Sequence, residues 1–181
     1  MTLSADVYIS AGSNIDPVEN LRLACRELER AFGALALSSV YRTAAVGFEG
    51  PDFLNLVIAF SAGRDWEAVD AELGRIQQMA GRKPGAGFAS RTLDLDLLLY
   101  GDLVINGVKT TVPRPDITGY AFVLRPLAEL APELKHPVTG ATMRELWEQF
   151  RREQSAFGEQ VTECVGDIHQ PMLRPPSTEM I

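Results

Sequence analysis

Apolar and polar positions along the chain fall into two alternating rhythms. Residues 7–11, 35–41 and 53–60 read as β-strands. Between them the spacing becomes helical. Asp16-Pro17 marks a helix start, with Asp16 as N-cap and Pro17 in the first turn. Leu21, Ala24, Cys25, Leu28, Ala31 and Phe32 then recur on one face, while Glu19, Arg22, Arg26, Glu27 and Glu29 face water. Asp65 caps a second helix over 66–80, with Trp66, Val69, Leu73 and Ile76 inward. Asn106-Gly107, between 103–105 and 108–112, predicts a hairpin. Residues 120–130 read as a helix with Pro126 near its start or at a kink, ended by Pro132. Thr142 caps a last helix through Phe150 that buries Met143, Leu146 and Trp147.

One strand differs from the rest. In Arg91-Thr92-Leu93-Asp94-Leu95-Asp96-Leu97-Leu98-Leu99-Tyr100, period-two alternation puts Asp94 and Asp96 on one face and Leu93, Leu95 and Leu97 on the other. Leu97, Leu98 and Leu99 leave no polar face, which predicts burial on both sides and a central place in the sheet. Two neighbouring carboxylates repel unless a cation shares them, and oxygen-only ligands suit Mg²⁺ that takes its remaining ligands from water and phosphate. Arg91, with Arg82 and Lys83 upstream, adds the positive charge a metal-bound polyphosphate needs. The plain alternative is a strand whose polar face happens to carry two aspartates.

The loops add candidates. Residues 42–52 make a connection longer than a hairpin needs, and Asn55 interrupts the apolar third strand, so its amide must find partners in a ligand or in neighbouring backbone. Gly12-Ser13-Asn14 before the first helix is read as structural rather than as an anion cradle, since it is no Walker A sequence. Residues 81–90 are glycine-rich and basic, as a closing phosphate lid or a connector would be. His136 and His169 stand apart and read as surface or structural residues.

Composition narrows the class. At 181 residues, 46% hydrophobic and 23% charged, the chain suits one globular core. The net charge of −7 argues against a nucleic-acid surface, which needs a basic face. Cys25 and Cys164 are too far apart for a disulfide framework or zinc spacing, and Cys25 packs as a small hydrophobe. The start carries no basic-then-apolar segment and no run is long enough to cross a bilayer, so a cytoplasmic protein is expected. From residue 151 apolar density falls and Pro171, Pro175 and Pro176 follow, so 1–150 is expected to form the domain and 151–181 a C-terminal tail.

Asp94 and Asp96 followed by Leu-Leu-Leu-Tyr-Gly, Ala121-Phe122-Val123-Leu124-Arg125-Pro126-Leu127 downstream, Tyr8-Ile9-Ser10-Ala11-Gly12-Ser13-Asn14, Tyr41-Arg42-Thr43 and Pro51-Asp52-Phe53-Leu54-Asn55 occur in one order. In these motifs the chain resembles the 6-hydroxymethyl-7,8-dihydropterin pyrophosphokinase family of folate biosynthesis. The resemblance implies a single-domain α/β (α+β) ferredoxin-like fold with a mainly antiparallel sheet. It implies transfer of pyrophosphate from ATP to the pterin hydroxymethyl oxygen, with AMP released. By the same carry-over Asp94 and Asp96 hold two Mg²⁺ ions, and Arg82 and Arg91 neutralise the transferring group. Lys83, Arg91, Leu97, Lys109, Thr111 and Arg114 serve ATP, while Thr43, Ala44, Val46, Phe53, Asn55 and Phe122 line the pterin pocket. A monomer with small-molecule substrates is expected, without nucleic acid or membrane.

Departures from the family pattern gather on the ATP side. Gln77 stands where a glutamate is usual, Lys83 for an arginine, Phe88 for a tryptophan, Arg114 for a histidine and Tyr120 for a basic residue. They motivate an alternative, a non-catalytic or altered-specificity pterin-binding relative. A two-metal nuclease or nucleotidyltransferase is a third reading, weakened by the acidic charge.

Overall fold

The computed structural model describes residues 4–45, 49–81, 92–157 and 162–169. The chain runs β1 (Ala5–Ser13), α1 (Pro17–Phe32), β2 (Ala36–Leu37), β3 (Val40–Thr43), β4 (Phe53–Ala62), α2 (Trp66–Met79), β5 (Asp94–Tyr100), β6 (Ile105–Asn106), β7 (Thr111–Val112), α3 (Asp116–Gly119), α4 (Ala121–Leu130), α5 (Met143–Phe157) and β8 (Thr162–Gly166). The main sheet has the order β5-β1-β4-β3-β8, and every recorded pairing in it is antiparallel. Around β1, β3, β4 and β5 the two helices complete the β-α-β-β-α-β ferredoxin-like pattern.

Helices cover both faces. On one, α1 and α2 close over Val7, Ile9, Ala11, Leu54, Leu56, Ile58, Leu93, Leu95 and Leu97. On the other, α3, α4 and α5 pack against Val57, Leu98 and Leu99 through Ile117, Val123, Leu124, Leu127 and Met143. Cys25 is buried in α1 as expected of a small hydrophobe.

Several expectations need correction. Among the described residues β5 is an edge strand, paired only with β1, and not central. Its three leucines are buried on both sides because the register shifts opposite Tyr8 and Ile9, where Leu99 pairs with Tyr8 and Leu97 with Ile9. Leu98 is the extra residue of this bulge, so Leu98 and Leu99 join the α4 side while Leu97 stays with α1 and α2. The second strand is split. Ser38 N still donates to Val57 O at 3.0 Å, but Ser38 Oγ accepts from Val57 N at 2.9 Å and Glu129 of α4 accepts from Ser39 N at 2.9 Å, so side chains take over part of the ladder between β2 and β3.

Asp16 sits at the N-cap of α1 but in a left-handed conformation, φ 43°, without a side-chain cap bond; Asn20 Nδ2 donates back to Ile15 O instead. Glu27 is buried, held by Arg30 at 2.9 Å and by Arg75 of α2 at 3.1 Å. The hairpin forms, but its connection is 107–110, closed by Gly107 N donating to Thr110 O, so Asn106 ends a strand rather than centring the turn. Asp116–Gly119 form a short additional helix, α3, just before α4. Pro126 lies inside α4, buried. Thr142 caps α5 as expected, in a reciprocal box with Glu145, yet the helix runs on past Phe150 to Phe157. Regular structure then resumes as β8, and Val165 and Ile168 enter the core.

Candidate active site

Gly12 of β1 lies opposite Asp94 of β5 on one side and opposite Asn55 of β4 on the other. Directly opposed residues of antiparallel strands share a face, so Asp94, Gly12 and Asn55 form one row across the sheet. Asp96 stands opposite Ser10, which stands opposite Val57, and Val57 packs under α4. The two aspartates and Asn55 therefore face the α4 side, with the carboxylate and amide rows two strand spacings apart, about 10 Å.

Gly12 leaves room between them. A Cβ there would lie 2.8 Å from Asn55 Oδ1 and 3.9 Å from the Phe53 ring. Asn55 is 8% exposed and donates from Nδ2 to Thr43 Oγ1 at 2.9 Å, which commits one end of its amide and fixes Oδ1 over Gly12. Phe53 pairs with Thr43, two positions along the same face. Phe122, second residue of α4, packs against the core on that face and stacks on Tyr120 with ring centroids 5.0 Å apart. α4 is tied to β3 and the residue before it: the Tyr41 hydroxyl and Ser39 donate to Glu129, and Arg125 lies 4.6 Å over the Tyr41 ring. Burial and the bond to Glu129 push the Tyr41 hydroxyl up.

The loops entering this end are anchored by the turn after β1. Buried Ser13 donates to Thr92 O at 2.5 Å, just before β5, and Asn14 Nδ2 donates to Pro51 O at 3.1 Å, just before β4. The structural reading of Gly12-Ser13-Asn14 thus has a specific content, because the turn holds the starts of both site-bearing strands.

Along the outer edge of β5, two side chains from elsewhere meet the strand. Gln77 Oε1 of α2 accepts from Leu95 N at 3.1 Å, between the two aspartates. Arg114 donates its backbone N–H to Leu98 O at 3.0 Å, while its guanidinium reaches Asp96 Oδ1 at 3.0 Å and Asp116 Oδ2 at 2.6 Å. Burial works against the Arg114 charge, but the carboxylates of Asp96 and Asp116 outweigh it and raise its pKa. Among the described residues no three or more His, Cys, Asp or Glu side chains gather into a metal cage. What the pair offers is two half-buried carboxylates on one face, an oxygen donor set of the kind that fits a hard cation sharing phosphate oxygens.

Residues 8–132 match the family described as 7,8-dihydro-6-hydroxymethylpterin-pyrophosphokinase (HPPK). The chain belongs to this family. It is 37% identical over 144 residues to the 2-amino-4-hydroxy-6-hydroxymethyldihydropteridine pyrophosphokinase of Synechocystis sp., covering 78% of this chain and 74% of that one. The enzyme of the same name from Haemophilus influenzae is 34% identical over 147 residues, covering 79% of this chain and 91% of that one. The crystal structure of Plasmodium falciparum HPPK-DHPS has the same fold, with a TM-score of 0.72 at 13% identity over 88% of this chain; the match spans 47% of that longer chain.

Against the HPPK expectations, the structure brings Asp94, Asp96, Asn55, Thr43 and Phe53 to one face, with Phe122 packed on the same side. Arg114 stands on Asp96, and Thr111 lies on β7, which contacts β5. Lys109 is exposed in the 107–110 connection, and Ala44 is exposed just after β3. Leu97 is the exception: its side chain is buried on the opposite face among α1 and α2, so only its main chain can meet a nucleotide. Val46, Arg82, Lys83, Phe88 and Arg91 lie outside the described residues. Sequence reasoning missed what Gln77, Asp116 and Gly12 do. Asp116 had a signal, two positions from Arg114, whereas Gln77 meets Leu95 only through the fold.

Proposed function

We propose that the chain transfers the pyrophosphoryl group of ATP to the hydroxymethyl oxygen of 6-hydroxymethyl-7,8-dihydropterin, in folate biosynthesis. The observation that carries this reading is the row from Asp94 through Gly12 to Asn55, which with Asp96 sets a carboxylate pair and a partly committed amide on one face of the sheet. The HPPK names of the relatives support the catalytic reading over a non-catalytic pterin binder.

In this reading Asp94 and Asp96 would hold Mg²⁺, which when bound supplies charge neutralisation to the triphosphate. Asn55 and Thr43 orient the edge of the pterin ring, with Phe53 and Phe122 against its faces, and Ala44 and Val46 complete the pocket. Arg114, Lys109, Thr111 and Lys83 serve the nucleotide, and Arg82 and Arg91 neutralise the group in flight. The hydroxymethyl oxygen bonds to the β-phosphorus, the bond from that phosphorus to the bridging oxygen breaks, and AMP leaves with the electron pair. The hydroxyl proton passes to solvent. Catalysis is then positioning and electrostatics.

An AMP-release assay with MgATP and 6-hydroxymethyl-7,8-dihydropterin tests it, beside reactions lacking either pterin or magnesium and beside Asp94→Ala and Asp96→Ala. AMP is expected only from the complete mixture with the native chain. Pterin binding by calorimetry with no AMP from folded protein would instead establish the binding relative, and full activity in both variants would remove the metal assignment.

A further inference from the structure

We propose that Arg114 is a resident counter-ion, which holds Asp96 in the metal-free protein and passes to the nucleotide's phosphates when metal and nucleotide bind together, with Asp116 as its fixed anchor. This rests on the metal reading of Asp94 and Asp96 given above.

Three bonds define the device. The main chain of Arg114 is pinned to the strand it serves, through its N–H to Leu98 O at 3.0 Å. Two different nitrogens of the guanidinium then bind two different carboxylates, Nη2 to Asp96 at 3.0 Å and Nε to Asp116 at 2.6 Å. Loss of the Asp96 bond therefore leaves the side chain tethered and still aimed at β5. Arg114, Asp96 and Asp116 side chains are 37%, 27% and 35% exposed, so all three are reachable by a solvated ligand. An arginine in this place is charged at every working pH, so the counter-ion is always present.

The consequence is a competition. A divalent ion and a guanidinium cannot share Asp96 Oδ1 at contact distance without strong mutual repulsion. Metal arriving alone must displace Arg114 from Asp96. Metal arriving with a triphosphate brings anionic oxygens that Arg114 can bind instead. Metal and nucleotide then favour one another through Arg114, and the coupling is reciprocal. Asp116 sets how firmly Arg114 leans on Asp96, which makes it a positioning residue although it touches neither ligand.

Mn²⁺ binding to the intact chain tests this, read from the free-ion electron paramagnetic resonance signal, alone and with α,β-methylene-ATP. Arg114→Gln is expected to bind Mn²⁺ alone roughly threefold to tenfold more tightly than the native chain, and the nucleotide's enhancement of Mn²⁺ binding is expected to shrink. Arg114→Lys, which keeps the charge, returns Mn²⁺ affinity towards the native value. Asp116→Asn moves it the opposite way, because Arg114 then leans on Asp96 alone. A merely structural role for the cluster would weaken binding in both Arg114→Gln and Asp116→Asn. Equal or weaker Mn²⁺ affinity in Arg114→Gln, with native circular dichroism, overturns the proposal. Asp96→Asn separates the two levels: native-like Mn²⁺ binding there would remove the metal reading itself, whereas its loss there together with an unmoved Arg114→Gln would remove only the counter-ion.

Discussion

Gly12→Ala is the substitution whose consequence the geometry defines most sharply. In an ordinary strand the change would be mildly favourable, by about 0.4–1 kcal/mol, because alanine restricts the unfolded chain. Here the new methyl would stand 2.8 Å from Asn55 Oδ1, closer than a Cβ can sit. The Asn55 side chain must move, yet it is 8% exposed and its Nδ2 is bonded to Thr43 Oγ1 at 2.9 Å. Breaking that bond in a buried place costs about 1–3 kcal/mol, and overpacking is of similar size. The net expectation is a loss of about 1–2 kcal/mol, read as a lower urea midpoint at unchanged slope. Pterin affinity, measured by calorimetry, should fall together with stability, since the displaced group is the proposed recognition amide. Asn55→Ala removes the obstacle, so Gly12→Ala made in that background should be nearly neutral for stability. If Gly12→Ala leaves both the midpoint and pterin affinity unchanged, or costs the same with and without Asn55, the reasoning is refuted.

Other perturbations probe separate parts of the molecule. Gln77→Leu removes the acceptor of Leu95 N–H on the edge strand and should cost about 1 kcal/mol in urea unfolding, a loss restored by Gln77→Glu, which keeps an acceptor. His136 is buried, and its Nδ1 accepts from Val138 N and Thr139 N at 3.3 and 3.4 Å, so burial lowers its pKa below 6.5. Its contribution to stability is therefore complete above that value and is lost as pH falls through the depressed native pKa; urea midpoints measured against pH should decline there, and His136→Asn, which keeps an acceptor without titrating, should flatten the decline. Ile168→Ala, in the segment beyond the expected domain end, should cost about 2–4 kcal/mol because the side chain is fully buried, and a loss under 0.5 kcal/mol would show that the turn after β8 contributes little to the core.

Local signals carried most of the secondary structure. The Asp65 and Thr142 caps lie where a side-chain oxygen meets a first-turn N–H, a contact spanning three residues. Asp16 has the same residue type as Asp65, but its backbone is left-handed and its side chain makes no cap bond. What local pattern could not reach was set by partners distant in sequence. The three leucines of β5 read as a central strand because burial on both sides has two origins, a second neighbouring strand or a bulge covered by helices; only the register opposite β1 separates them. β8 was illegible for a related reason. Its Glu163-Cys164-Val165 offers one apolar position to the core, and an edge strand beside β3 needs no more.

Much of what the fold gathers on the α4 face was legible in the sequence, and less of what meets the outer edge of β5. Asn55 stood out as an amide within an apolar strand, and alternation put Asp94 and Asp96 together, but their common row depends on Gly12, whose contribution is the side chain it lacks. The departures at Gln77 and Arg114 look unrelated in the sequence. In the fold they meet on the outer edge of one strand, where Gln77 takes the N–H between the two aspartates and Arg114 takes the carbonyl of the bulge and the second carboxylate. A neutral acceptor at Gln77 binds that N–H without adding a third negative charge beside the pair. A permanent cation at Arg114 supplies positive charge to the same strand. The two changes thus act in one electrostatic direction on Asp94 and Asp96, which is why an exchange that alters only the charge, Gln77→Glu, should be felt first in the binding of metal and nucleotide, and only afterwards in the fold.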